Sequence, residues 1–468
     1  PESIRLRRRN LLAMHLYCQI TGRDSLPARL EPNDLGESFS RDPHAYCAFC
    51  ADAATGRRPS EGNRMLPPVI TWQWPQDVRR VVILPPGFLL LVRADAPFRV
   101  ALEQDNRVLR SAESLALADG TQGTVLMPAE RLTGALTLNL TRFGPSGAQH
   151  ATANVHALEP ADAVRVNLKI DAARIRANED YALLTNGCGA MAQIRAAWGT
   201  VLSQYDALLA VNPNVRVPDN RRVFFTRCRA WVRYRGYSYA LDATCAESFQ
   251  ADPGGTQAIW CFNTPVGMGR RTAITLTASL DRGRNRLRLY IQRGRLPARD
   301  TTALDNGTPI TVILRPDIEA RDFHTKTHAD AACEARFSAA LTPSLDGFLF
   351  RPQPGESYRM AVQPGAFQHD PAWSYGVPHP VEAERGLGPQ TDLFSPGWFS
   401  IDLAGGGTAI LTAATEADFE LPPPHARPAP APASNLPFAE TLERALDTFV
   451  VRRDSRNTVI AGYPWFLD

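Results

Sequence analysis

Residues 285–294 read NRLRLYIQRG. Arg286 and Arg288 alternate with Leu287, Leu289 and Ile291. A period of two sends one set of side chains to each face of a strand. One apolar and one wet face suits a sheet packed on a single side. The same alternation runs through VRVNLKI (164–170), RAWVRYRGYSY (229–239), TAITLTASL (272–280) and ITVILRPDI (310–318). Few segments between 163 and 420 have helical period. Strands of this number and length predict a large two-sheet β-sandwich over 161–420, with AGGGTAILTAAT (404–415) as its final hairpin.

Downstream, LPPPHARPAPAPAS (421–434) reads as an extended, semi-rigid linker. An amphipathic helix is expected over 436–452, capped by Ser434 or Asn435, with Phe438, Leu442, Ala445, Leu446, Phe449 and Val450 on one face. Such a helix needs partner helices. The chain then ends on AGYPWFLD (461–468), although a terminus is ordinarily polar. The first residue is not methionine. Both ends are therefore expected to be cuts.

Upstream, VVILPPGFLLLVRADAPFRVALEQ (81–104) predicts two strands around the Pro85-Pro86-Gly87 turn. Apolar stretches at 123–127, 135–140 and 152–158 complete a small β-sandwich over 67–160. Leu6, Leu11, Leu12, His15 and Leu16 form a helical stripe that Gly22 and Pro27 end; residues 31–66 read as polar loop. The fold class expected is mainly β: a helical N-terminal segment, a small sandwich, a large one, and a final helix.

A formal charge of +3 on 468 residues gives no electrostatic case for nucleic acid. The longest apolar runs fall short of a membrane span, and the N-terminus lacks the pattern of a secretory signal. Eight scattered cysteines favour reduced thiols and a cytoplasmic location. Cys47 and Cys50 have metal or redox spacing, without the second pair a zinc site needs. His324 and His328 stand four apart, but in strand and turn surroundings. No metal and no cofactor are expected.

Three stretches concentrate the chemistry. TNGCGAMA (185–192) packs Asn186 among glycines, so its backbone either approaches a ligand closely or makes a tight turn inside the sandwich. Tyr205 and Asp206 follow it; they either anchor a strand or face a sugar. HPVEAERGLGPQTDLFSPGWFSIDL (379–403) mixes Glu382, Glu384, Arg385 and Asp392 with Trp398 and Phe399. That is either a site on a long loop or an Arg–carboxylate lock holding the loop.

Together, YALLTNGCGAMA (181–192) with SQYDALLAVNPN (203–214), ERGLGPQTDLFSPGWF (384–399) and FVVRRDSRNTVIAGYPWFLD (449–468) resemble bacterial glycogen debranching enzymes of the amylo-α-1,6-glucosidase type. The resemblance covers about residues 170–468. It implies a β "super-sandwich" followed by an (α/α)6 barrel, with 435–468 as the barrel's truncated start. The family motif continues Trp-Gly-Arg-Asp beyond the position of Asp468, and the catalytic carboxylates lie in the barrel. The resemblance further implies a platform of Tyr463 and Trp465 for a glucosyl ring, with Asp468 on a glucose hydroxyl or bracing the acid. Many members have Arg-Arg-Tyr-His where this chain has Ser203, Gln204, Tyr205 and Asp206. Asn186, Tyr205, Asp206 and Trp398 complete the expected substrate-binding set. Expected partners are glycogen or α-glucan oligosaccharides and the remainder of the catalytic domain, not nucleic acid or membrane. Residues 1–160 match less clearly and fit the tail of a preceding glucanotransferase half. Other readings are a glucoamylase or disaccharide phosphorylase of the same architecture, or a non-catalytic glucan-binding module.

Overall fold

The computed structural model describes residues 2–55, 69–126, 133–145, 147–160, 162–297, 299–423, 426–460 and 462–463. The chain forms two compact units, 1–164 and 165–468. It is mainly β, as the alternating segments predict.

In the first unit, Val69–Gln73, Leu89–Ala94, Gln122–Leu126 and Leu115–Ala116 form a four-stranded sheet. A five-stranded sheet contains Val82–Leu84, Phe98–Gln104, Arg107–Glu113 and the hairpin Gly134–Gly144 with Gly147–Ala157. One core, including Trp72, Leu90, Val92, Val100, Leu138 and Val155, draws on both sheets. The strands flanking Pro85-Pro86-Gly87 are therefore real but unpaired with each other: Val82–Leu84 lies in one sheet and Leu89–Ala94 in the other.

The expected loop at 31–66 is corrected over its first part. Pro32–Arg41 and Pro43–Thr55 are helices. Each begins with proline, whose missing N–H costs nothing in the first turn of a helix. Together with Glu2–Thr21 they bury Leu16, Tyr17, Phe39 and Tyr46 against Leu89, Leu91 and Val125 on the four-stranded sheet's other face. This two-sided burial is why LLLV (89–92) lacks alternation.

In the second unit, a nine-stranded sheet runs in the order Lys169–Asp171, Ala246–Ala251, Gln257–Gly267, Arg270–Leu280, Arg286–Arg293, Thr408–Thr415, Glu356–Gln363, Gly347–Gln353, Leu341–Pro343. The main path of an eight-stranded sheet runs Tyr181–Thr185, Met191–Arg195, Ala207–Val211, Arg222–Tyr234, Ile310–Asp322, Gln390–Leu403, Ala366–Pro378, with Tyr237–Ala240 paired to Arg222–Tyr234. Leu287, Leu289 and Ile291 from the opening motif share one core with Phe224, Val312, Phe399 and Ile401 of the facing sheet. Trp260 crosses it, its indole N–H donating to the Ala196 carbonyl at 3.0 Å. The AGGG turn does not close a hairpin: Gln390–Leu403 and Thr408–Thr415 lie in different sheets, so it carries the chain across the sandwich.

The Pro-rich stretch is pinned to the nine-stranded sheet, where Gln250 and Gln257 amides donate to the carbonyls of Pro432 and Pro430 at 2.7 and 2.8 Å. Asn435–Pro437 then pairs antiparallel with Arg165–Asn167. The expected helix 436–452 is corrected to Phe438–Asp447, with Pro437 rather than Ser434 or Asn435 at its N-cap. Phe438, Leu442 and Leu446 on this helix are exposed. Val450–Arg453 and Arg456–Val459 form a hairpin instead of continuing it.

Candidate functional site

The outer face of the eight-stranded sheet is buried at one end. Met191, Ala207, Ala210 and Val223 point away from the sandwich core, where a soluble sheet would carry polar groups. Val451, Ile460 and Tyr463 cover them. The C-terminal hairpin is thus a lid of apolar side chains, and this accounts for the unbroken burial of MAQIR (191–195) and ALLAV (207–211).

Three of the expected site residues meet at or beside this lid. Tyr205 and Tyr463 belong to the same buried cluster. The Tyr205 hydroxyl is hydrogen-bonded to His324 Nδ1 at 3.0 Å. Between Phe323 and Tyr463 lies the buried guanidinium of Arg221, 4.3 and 4.8 Å from the two ring centroids. Arg221 also donates to Met191 Sδ at 2.9 Å. Burial pushes the Tyr463 phenol up to about 12 although Arg221 opposes the shift. Asn186 sits at the edge of this arrangement. Its Oδ1 accepts from the Cys188 and Ala190 amides at 2.7 and 3.0 Å, and its Nδ2 donates to the Arg284 carbonyl at 3.0 Å. The lid reaches the same loop, since Arg452 N–H donates to the Gly187 carbonyl at 2.8 Å. Gly189, at φ +97°, touches neighbouring chain so closely that a Cβ would stand 2.1 Å from the Pro218 carbonyl oxygen.

Asp206 is an anchor within this face. Its carboxylate accepts from Gln193 Nε2 at 2.6 Å, Arg195 Nε at 2.8 Å, and the amides of Leu202 and Ser203 at 2.8 and 3.0 Å. Beside it lies a second buried network that sequence reasoning missed. Glu319 accepts from Thr226 Oγ1 at 2.6 Å, Arg321 Nε at 2.8 Å and Thr327 Oγ1 at 2.8 Å. Burial pushes the Glu319 carboxyl up, but Arg321 and the two hydroxyls outweigh it and the net direction is down. Arg321 Nη2 donates to the Gln204 carbonyl at 2.6 Å. Glu382, also fully buried, accepts from Ser203 Oγ at 2.7 Å and Gln204 N–H at 3.2 Å. The segment 379–403 is therefore locked by a carboxylate, but with serine and a backbone amide as partners; Arg385 and Glu384 are exposed. His379 is buried nearby, and neither ring nitrogen has a hydrogen-bond partner among the described residues.

Trp398 stands apart. It lies half-buried on strand Gln390–Leu403, opposite Gln368, and is not part of the Tyr205–Tyr463 cluster. Trp465 and Asp468 lie outside the described residues. The CAFC pair is on helix Pro43–Thr55, where burial pushes the Cys47 and Cys50 thiols up to about 12 and about 11. Such thiols are poor nucleophiles at neutral pH. In chemical terms the outer face is a rigid support. Its buried carboxylates have protein donors on their oxygens.

Residues 182–410 match the family described as "Glycogen debranching enzyme N terminal". The match begins in the first strand of the eight-stranded sheet and ends in Thr408–Thr415, so it takes in strands of both sheets. The match covers just under half of the chain. No curated protein matches the chain. Among solved structures, an Escherichia coli alpha-2-macroglobulin activated by porcine elastase aligns at 11% identity over 72% of this chain and 30% of its own, with a TM-score of 0.16. A Salmonella alpha-2-macroglobulin reacted with methylamine aligns at 10% identity over 72% of this chain and 22% of its own, with a TM-score of 0.15. The chain thus spans less than a third of either. Superpositions this poor carry neither fold nor function.

Proposed function

We propose that this chain is the non-catalytic sandwich portion of a cytoplasmic amylo-α-1,6-glucosidase, which hydrolyses the α-1,6 branch points of glycogen or limit dextrin. The family match over both sheets carries this reading. Two features agree with it. The exposed apolar stripe of Phe438, Leu442 and Leu446 suits packing against further helices, as the opening of an (α/α)6 barrel requires. All eight cysteines are free, which suits a reducing compartment.

In this reading the large sandwich buttresses the barrel. The lid hairpin and Arg221 bury Tyr463 within the support, so in this reading the platform for a glucosyl ring is carried by Trp465. Asp468 then hydrogen-bonds a glucose hydroxyl or braces the acid. Two barrel carboxylates cleave the branch, one as general acid and one as base. The test is glucose release from a phosphorylase limit dextrin by the full-length polypeptide that contains this chain. Glucose is the expected product. A folded polypeptide that releases none overturns the reading, and an unchanged rate in Asp468→Ala removes that residue from the site.

A further inference from the structure

The lid covers one end of the eight-stranded sheet's outer face, and away from it the same face carries two tryptophans. On strand Arg222–Tyr234, Cys228, Ala230 and Val232 enter the sandwich core, so Trp231 and Arg233 point outward. On Ile310–Asp322 the core takes Val312 and Leu314 and leaves Thr311 and Ile313 outside. On Gln390–Leu403 it takes Phe399 and Ile401 and leaves Trp398, Ser400 and Asp402. The pairing sets Trp231 opposite Ile313, and Ile313 opposite Ser400. Trp398 lies two residues from Ser400 on the same face, opposite the exposed Gln368. Two strand spacings and two residues separate the tryptophans, roughly 12 Å. The next outward row is Arg233, Thr311 and Asp402, which line an open groove of about 530 Å³.

The wet face of a sheet ordinarily takes polar residues. Here Trp231, Ile313 and Trp398 are half-buried, and neither indole has a hydrogen-bond or ring partner among the described residues. Around them, hydrogen-bonding groups of both kinds stand open. The Gln368 amide, the Ser400 hydroxyl and the Arg233 guanidinium have no partner among the described residues. Thr311 Oγ1 donates to one Asp402 oxygen at 2.7 Å, which leaves the other open. Arg315, on the same strand as Ile313, is by contrast held: it donates to Asp370 Oδ2 at 3.1 Å and to the Asp370 carbonyl at 2.9 Å.

We propose that this tryptophan face binds an α-1,4-glucan chain. The inference rests on the reading that the parent acts on α-glucan. A glucosyl ring has an apolar C–H face and a rim of hydroxyls. The indoles offer large, rigid apolar surfaces to the first. Gln368, Ser400, Arg233 and the open Asp402 oxygen offer donors and acceptors to the second. The spacing of the tryptophans engages an oligosaccharide rather than a single sugar. Single-stranded nucleic acid also stacks on aromatic rings, but it needs a basic track, and here Asp402 offsets Arg233. A polymer held on this face stays close to the polypeptide that acts on it, which raises its local concentration.

The experiment uses the 468-residue chain in native gels containing glycogen, with maltoheptaose titrated by calorimetry and by tryptophan fluorescence. Cellopentaose and a thymidine oligonucleotide are the control probes. Glycogen should retard the chain. Maltoheptaose should bind and shift the tryptophan emission, while the two controls do neither. Trp231→Ala and Trp398→Ala should each weaken binding at least tenfold, and Trp398→Tyr should recover most of the loss. Gln368→Ala should weaken binding severalfold at an unchanged melting temperature. Gln368 is exposed, so that variant decides the matter where a tryptophan variant fails to fold. Four results each overturn the site: no wild-type retardation, undiminished binding by Gln368→Ala and the folded tryptophan variants, a control bound as tightly as maltoheptaose, or a wild-type dimer that Trp398→Ala dissociates. Glucose release by the full-length polypeptide is measured in parallel. Release without retardation sinks this inference alone, whereas no release sinks the debranching reading on which it rests.

Discussion

Replacing Asp206 by alanine removes a carboxylate that four protein donors share. The largest loss is to Arg195, which is buried and keeps its charge. Breaking a buried ion pair from one side costs about 3–5 kcal/mol. The void beside Asp206 is about 10 Å³, at the lower bound for holding a water. Truncation opens space for roughly one, which can satisfy the Leu202 and Ser203 amides but cannot neutralise a guanidinium. The expected loss is therefore about 4 kcal/mol, and the second unit's melting point should fall by roughly 6 °C for a domain near 300 residues. Urea unfolding followed by tryptophan fluorescence measures it. Trp198 and Trp260 pack with centroids 4.9 Å apart in that unit's core and report its transition. The two units require separate fits. Arg195→Met with Asp206→Leu should recover most of the loss, because a well-packed apolar pair replaces a buried ionic one at little cost. A single-variant loss under about 1 kcal/mol, or a double variant as unstable as the single, refutes the reasoning.

Gly189→Ala should cost about 3 kcal/mol, combining left-handed strain with a clash against the Pro218 carbonyl, and chemical denaturation will show it. His379 is held below its ordinary pKa mainly by burial, with Arg321 and Lys326 adding to the shift and Glu382 and Glu319 opposing it. Its neutral form is the folded form, so stability is full above about pH 6.5 and falls as pH drops toward the folded pKa. His379→Leu should flatten that acid loss in melts between pH 7 and pH 5, and an unchanged slope would count against it. Glu319, depressed in the folded state, contributes stability above the ordinary glutamate pKa that is lost as pH falls through its folded value. Glu319→Gln should be destabilising at pH 7 and progressively less so toward pH 3, read from the same melts.

The opening motif and its neighbours were legible because each strand has one buried face, so composition and period agree. Sheet membership was not legible. The AGGG turn and Pro85-Pro86-Gly87 both look like hairpin turns, and only the pairing partners far along the chain assign their flanks to different sheets. Helices at 32–55 were hidden because 31–66 reads as polar loop, although Pro32 and Pro43 start helices. The lid hairpin was hidden because Phe449 and Val450 continue the helical phase of Leu442 and Leu446. Tyr205 was singled out beside its glycine-rich neighbour stretch and Tyr463 by family resemblance, and the structure buries both in one cluster. Glu319 and Arg321 could not be singled out: their partners Thr226 and Gln204 lie about a hundred residues away, and no local pattern joins them. One usable sign existed, since PDIEAR (316–321) places charges within a strand whose other positions are strongly apolar.

The short ladder between Arg165–Asn167 and Asn435–Pro437 ties the start of the second unit to the segment that leads into its last helix and lid hairpin. On a ribosome making 5–20 residues per second, the first of these strands waits roughly 15–50 s for its mate. During that interval the sandwich must mature as an unbuckled body.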